Sequence, residues 1–244
     1  MPKSTITCLD KMELASKIYL LKFGVDSVLD YIPGQFISVE VAPKVYRSYS
    51  LMSYLKDESN KAEYKSQVEF LVNTRSGGEG SQAIEKTKAG DKFNALGPLG
   101  KFHLTENDRP KVFVATGTGL GPFVGMIDGI LKSDPKANIT LFFGVYSSEF
   151  DYCRRFFVDF LDTGKYKNFK IITCSDSLLE GETENEILKL GKVTTVIPKI
   201  ILDFTTYDFY ICGNPFMVAD TEKLLIEKGA IDNIYTEKYG TLPK

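Results

Sequence analysis

The apolar residues of this chain change rhythm near residues 105–110, and that change restricts the folds open to it. Before it, short runs rich in β-branched and aromatic residues are separated by turn formers: "STITCLDKMEL", "KIYLLKFGV", "GQFISVEV", "RSYSLMS", "QVEFLVN" and "DKFNALGPLGKFHL". Runs of this kind predict strands, and several at close spacing predict a sandwich or a barrel. One helix, "SQAIEKTKAG", is expected among them, capped by Ser81 and closed at Gly90. After the change, strands and helices alternate. "KVFVATG", "NITLFFGVYS", "FKIITCSD" and "DFYICGN" read as strands. "LGPFVGMIDGILKSD", "EFDYCRRFFVDFLDTG" and "PFMVADTEKLLIEKG" read as helices. That alternation predicts a parallel sheet flanked by helices. The fold class expected is therefore β followed by α/β: an antiparallel Greek-key β-barrel over 1–106, then a parallel-sheet α/β domain over 107–244. Thr105–Pro110 would be the linker.

Composition narrows the function. A net charge of −2 with no Lys/Arg run argues against nucleic acid as a partner. No signal-peptide core and no bilayer-length apolar run is visible, so a cytoplasmic protein without a membrane span is the expectation. Cys8, Cys153, Cys174 and Cys212 are far apart in sequence, and His103 is the only histidine. No metal or iron–sulfur site is expected from such a set.

Two glycine-rich turns lead into helices. In "ATGTGLGPF", Ala115–Phe123, glycines would let a backbone approach a phosphate at a helix N-terminus, and Pro122 suits a first helical turn. It matches neither the P-loop nor the G-x-G-x-x-G pattern, and a ligand-free strand–helix turn is the alternative. In "SGGEGSQAI", Ser76–Ile84, the N–H groups of Gly80, Ser81 and Gln82 could hold an anion, or Ser81 could simply cap the helix. "RSYSL" alternates too: Arg47, Tyr49 and Leu51 on one face of a strand, Ser48 and Ser50 on the other.

Taken together and in this order, the motifs resemble the ferredoxin–NAD(P)H reductase family. Its R-x-Y-[ST] motif appears as Arg47–Ser50, its G-G-x-x-S turn as Gly77–Ser81 (Gly78 an alternative first glycine), and its G-P-x-G-x-F as Gly97–Phe102. G-T-G-x-x-P appears as Gly117–Pro122, and C-G-x-P-x-M as Cys212–Met217. The resemblance implies an FAD-dependent oxidoreductase that moves hydride between NAD(P)H and FAD and passes electrons singly to ferredoxin, flavodoxin or another one-electron acceptor. An oxygenase reductase component, a free-flavin reductase and a non-catalytic binding subunit are the alternatives. A monomer or homodimer is expected.

The resemblance also assigns residues. Ser50, Cys212 and Glu237 would be catalytic, with Ser50 near flavin N5 and Cys212 beside the nicotinamide. FAD would be held by Arg47, Ser48, Tyr49, Ser50, Gly78, Gly80, Ser81, Gln82, Thr118 and Tyr239. The dinucleotide would meet Thr116, Gly117, Thr118, Gly119, Gly121, Pro122, Ser175, Asp176, Cys212, Gly213, Pro215 and Met217. Asp176, where NADPH-selective members often carry arginine, points to NADH, unless Arg154 and Arg155 face the site. The chain departs from many relatives in two ways: it has no cysteine cluster, and Tyr239 is followed by Gly240 and "TLPK" where a terminal aromatic pair is common.

Overall fold

A computed structural model describes residues 2–52, 54–56 and 65–239. The chain divides into two compact units, residues 1–104 with 121–126, and residues 105–120 with 127–244.

The first unit is an antiparallel sheet of β1 (Lys3–Ala15), β2 (Ile18–Val25), β3 (Phe36–Ala42), β4 (Val45–Ser50), β5 (Tyr54–Lys56), β6 (Ser66–Asn73) and β7 (Lys92–Leu99). The strand order is β4-β3-β7-β1-β2-β6-β5. The chain leaving β4 crosses the open side of this order: the Leu51 N–H donates to the Gln35 carbonyl, and the Met52 N–H to Glu69 on β6. The sheet thus curls into a barrel. Alternate residues fill it, among them Ile6, Leu21, Phe23, Ile37, Val39, Val68 and Phe70. Of the "RSYSLMS" run, Leu51 and Met52 are buried after the strand ends, and Ser53 lies outside the described residues.

Helix α1 spans Glu79–Lys86. It starts two residues before the expected Ser81, with Gly78 at the N-cap, and stops at Thr87 rather than Gly90. Ser81 sits in the first turn, where its hydroxyl pairs with that of Ser76 at 2.8 Å instead of capping. The Arg47 side chain lies against this turn: a Cβ at Gly80 would come 2.9 Å from its Cγ.

The second unit is a parallel sheet of β8 (Lys111–Thr116), β9 (Ile139–Ser147), β10 (Phe169–Ser177), β11 (Leu188–Leu190), β12 (Asp208–Gly213) and β13 (Ile234–Lys238). Its order is β11-β10-β9-β8-β12-β13. Helices are α2 (Gly121–Ser133), whose residues 121–126 belong to the first unit, α3 (Val158–Leu161), α4 (Val193–Ile200) and α5 (Pro215–Glu227). Apolar residues of α4 and α5, including Val196, Ile197, Val218 and Leu225, cover Val112, Val114, Phe209 and Ile211 of the sheet.

The long helix expected over "EFDYCRRFFVDFLDTG" does not form. That segment is two 3-10 turns, Ser148–Phe150 and Cys153–Phe156, and the single turn of α3. Asp151 breaks it: its carboxylate accepts the Cys153 N–H at 3.3 Å and the buried Thr173 hydroxyl. A short carboxylate that binds nearby backbone competes with the helix. Arg154 is likewise drawn to the Ile171 carbonyl, 2.8 Å away.

Residues 105–110 are pinned rather than loose. Asp208, buried at the start of β12, pairs with Arg109 Nε at 2.9 Å and Lys111 Nζ at 3.0 Å. Asn107 and Thr105 also donate to it. Burial alone would raise the Asp208 carboxyl, but the bonds from Asn107 and Lys111 hold it below its ordinary range.

Candidate functional site

In the second unit, the order of strands reverses between β8 and β12, since β9, β10 and β11 lie to one side and β12 and β13 to the other. Open α/β sheets bind ligands at the carboxyl ends of the strands flanking such a reversal. Here those ends are Thr116 and Gly213. The chain leaves β8 through a 3-10 turn, Gly117–Leu120, directly into α2, with Pro122 in its first turn and no side chain capping it. Uncapped N–H groups and a helix dipole suit an anion. Gly119 is sterically required: a Cβ would lie 2.3 Å from the Cys212 carbonyl oxygen. Gly117, Thr118, Gly119, Gly213 and Cys212 therefore gather at one place, with Thr116 beneath them.

Cys212 is fully buried and paired in register with Glu237 of β13. Its Sγ is 3.9 Å from Oε2 of Glu237, and the Tyr239 side chain also bonds it. Burial, reinforced by the Glu237 charge, pushes the thiol well above its usual pKa. The group at this position is a neutral thiol, suited to packing and weak donation rather than nucleophilic attack. Tyr239 is placed by β13, its N–H bonding the Gly213 carbonyl at 3.0 Å. Residues 240–244, the tail after Tyr239, lie outside the described residues. All four cysteines are buried. Iodoacetamide at neutral pH is therefore expected to label none of them in the folded protein and all four in denaturant, read by mass spectrometry. Rapid labelling of Cys212 in the native state would contradict its placement.

Pro215 opens α5, and Asn214 caps that helix by accepting the Phe216 N–H at 2.9 Å. Met217 is half-buried, its sulfur accepting the Thr221 hydroxyl. At the end of β10 the two expected residues part company. Ser175 is buried and its hydroxyl is spent on the Ser177 carbonyl, whereas Asp176 is exposed. Sequence reasoning missed a third group here: Glu182, whose carboxylate accepts the Ser148 hydroxyl and the Leu179 N–H. Those bonds, from Ser148 first, hold it below the ordinary carboxylate range.

In the first unit, Arg47 is exposed on β4 and its stem crosses the first turn of α1 at Gly80. The guanidinium donates to the Tyr46 carbonyl at 2.8 Å. The Gln82 N–H, expected to face an anion, instead closes the first helical bond to Gly78 at 2.9 Å. The Gln82 side chain donates to Gly77 at 3.0 Å. The N–H groups of Glu79, Gly80 and Ser81 are the ones a helix start leaves over. Tyr49 is half-buried, stacked on Phe70 at 5.7 Å, and burial raises its phenol to about 12 despite Arg47 nearby. Ser48 is exposed and Ser50 buried. Gly121 is buried, its Cα side facing Met52 and Ser50. A cation laid across a helix N-terminus over a glycine fits a pyrophosphate.

An oxidoreductase FAD-binding domain matches residues 5–104 and an oxidoreductase NAD-binding domain matches residues 113–223. The chain belongs to the ferredoxin–NAD(P)H reductase family. Within this reductase family, it is 30% identical over 218 residues to the anthranilate 1,2-dioxygenase electron transfer component of Acinetobacter baylyi, covering 86% of this chain and 59% of that protein. The chain thus spans less than two thirds of that relative's length. Two solved structures share the reductase fold. A cytochrome P450 reductase from Amycolatopsis gives a TM-score of 0.83 at 24% identity, over 97% of this chain and 69% of the other. A ferredoxin NADP+ reductase from Neisseria gonorrhoeae gives 0.73 at 21%, over 98% and 99%.

Proposed function

We propose that this reductase takes electrons from a reduced nicotinamide dinucleotide through FAD to a one-electron acceptor protein. The observation that carries the proposal is the strand reversal between β8 and β12, where a glycine turn delivers the uncapped start of α2. Bound FAD would supply acceptance of a hydride and release of its electrons one at a time.

The chain's own residues bind and orient. Arg47, with the N–H groups of Glu79, Gly80 and Ser81, would hold the FAD pyrophosphate. Tyr49, neutral throughout the working range, would lie against the isoalloxazine, and Ser50 would hydrogen-bond near N5. The turn Gly117–Pro122 would hold the dinucleotide. Cys212, kept protonated by burial and Glu237, would pack beside the nicotinamide without competing for its chemistry. Removing a guanidinium from an anion costs about 1.5–3 kcal/mol, or ~10–100-fold in affinity. Arg47→Ala is accordingly expected to lose most of its FAD on gel filtration. Unchanged flavin content would contradict that contact.

The donor proposed is NADH. Asp176 and Glu182 put carboxylates at the end of β10, and Arg154 is committed to the Ile171 carbonyl. A 2′-phosphate would meet negative charge there, and a ribose hydroxyl an acceptor. Steady-state kcat/KM with a one-electron acceptor is expected to favour NADH over NADPH by at least about tenfold, the equivalent of ~1.4 kcal/mol. A ratio near one or reversed would contradict it. For the acceptor, ferredoxin or flavodoxin is one reading. The relative's name, the electron transfer component of a dioxygenase, favours a second: the reductase component of an oxygenase system. No helix among the described residues is long and apolar enough to cross a membrane.

A further inference from the structure

We infer that Thr116 is a positioning residue for the dinucleotide site, acting through the backbone of Asn214 rather than by touching the dinucleotide. The inference rests on the reading of the strand reversal as that site.

Thr116 is the last residue of β8, and the register that pairs Ala115 with Cys212 sets it beside Gly213. Its Oγ1 accepts the Asn214 N–H at 3.1 Å. The Asn214 side chain in turn accepts the Phe216 N–H, which fixes the start of α5. One hydroxyl on β8 therefore sets where the next strand's exit loop runs and where its helix begins. The fit leaves no slack. Gly213 has φ +135°, and a Cβ there would be 2.5 Å from Thr116 Oγ1 and 2.7 Å from the Thr116 carbonyl oxygen. On the other side, the Gly117–Leu120 turn presses Gly119 onto Cys212 and Gly213. The exits of β8 and β12 form one interlocked pair, and the Thr116–Asn214 bond ties their two backbones through a side chain. Asn214 is exposed, so water can take over its N–H when the bond is lost; what the bond fixes is the path of the loop, and without it the Asn214 loop is free to move.

Thr116→Val keeps the branched shape and removes the acceptor, and Thr116→Ser keeps the acceptor. In nucleotide-free protein, the Asn214 amide is expected to exchange its hydrogen at least tenfold faster in Thr116→Val than in wild type, with Thr116→Ser near wild type. The KM for NADH is expected to rise about tenfold in Thr116→Val, with FAD content unchanged, and to recover in Thr116→Ser. Asn214→Ala, which keeps this N–H and loses only the cap on Phe216, is the control. Unaltered amide exchange in Thr116→Val would mean that Thr116 does not hold the loop, whatever the KM, and faster exchange with an unaltered KM would mean that the loop does not serve the site. Either overturns the inference. Because exchange is read without nucleotide, failure of this coupling is distinct from failure of the electron-transfer reading, which would show as wild-type flavin left oxidised by NADH.

Discussion

Gly119→Ala is expected to slow reduction of the flavin by NADH about a hundredfold while leaving FAD bound. The single added carbon would sit 2.3 Å from the Cys212 carbonyl oxygen and 2.5 Å from Gly213 Cα, and both are backbone. No side chain can swing away to relieve the clash, so the turn before α2 must lift off the end of β12. That movement displaces the N–H groups on which the dinucleotide site depends. Misplacement of a binding turn by an ångström is worth about a hundredfold in rate. Gly129→Ala is the control. It lies on α2, the helix that this turn leads into, a Cβ there meets nothing within 4 Å, and alanine favours the helix. Normal NADH reduction in Gly119→Ala would show that the turn is not where the nucleotide binds.

Asp208→Ala should cost more stability than any other single change considered. The carboxylate is 1% exposed and receives Lys111, itself 8% exposed, together with Arg109 and Asn107. Truncating it leaves the Lys111 ammonium buried without its counter-charge, a loss of about 3–5 kcal/mol. The second unit, where this cluster lies, should then unfold at markedly lower urea concentration. The pH dependence follows from the depressed carboxyl. A carboxyl whose folded pKa is lowered contributes stability that is complete above its unfolded value. That contribution disappears as pH falls through the folded value. Wild type should therefore lose stability on acidification below about pH 4, the unfolded carboxylate range, and Asp208→Ala should show less of that loss. Equal urea midpoints for the two proteins at neutral pH would contradict the account.

Where residues close in sequence decide an element, the element is legible in the sequence. Alternation in "YLLKFGV" and "QVEFLVN" gives strands because one face of each fills the barrel. The turn 117–121 was legible because glycines between a buried strand and a proline mark a tight exit into a helix. Elements decided by distant partners were not legible. Asp151 ends a helix that the aromatic spacing of "CRRFFVDFL" suggests, and it does so through Thr173, on another strand. Helix α4 was missed because "VTTVIPKI" is β-branched and carries Pro198, both poor helix signals. Its Val193, Val196 and Ile197 nevertheless share a buried face, a spacing that sequence alone does show. Strands β5 and β11, three residues each, are too short to leave a pattern. At the site, Thr116 and Asn214 are 98 positions apart, and their bond follows only from β8 lying beside β12. Glu182 is a similar case, since Ser148 reaches it from another strand's exit.

The most direct test is anaerobic titration of the FAD-loaded protein with NADH, followed by the absorbance of oxidised flavin. The account predicts stoichiometric bleaching, about one NADH per flavin, since hydride transfer to flavin is a two-electron step. Flavin that stays oxidised under excess NADH, and equally under NADPH, would contradict it and leave a protein that binds the cofactor without reducing it.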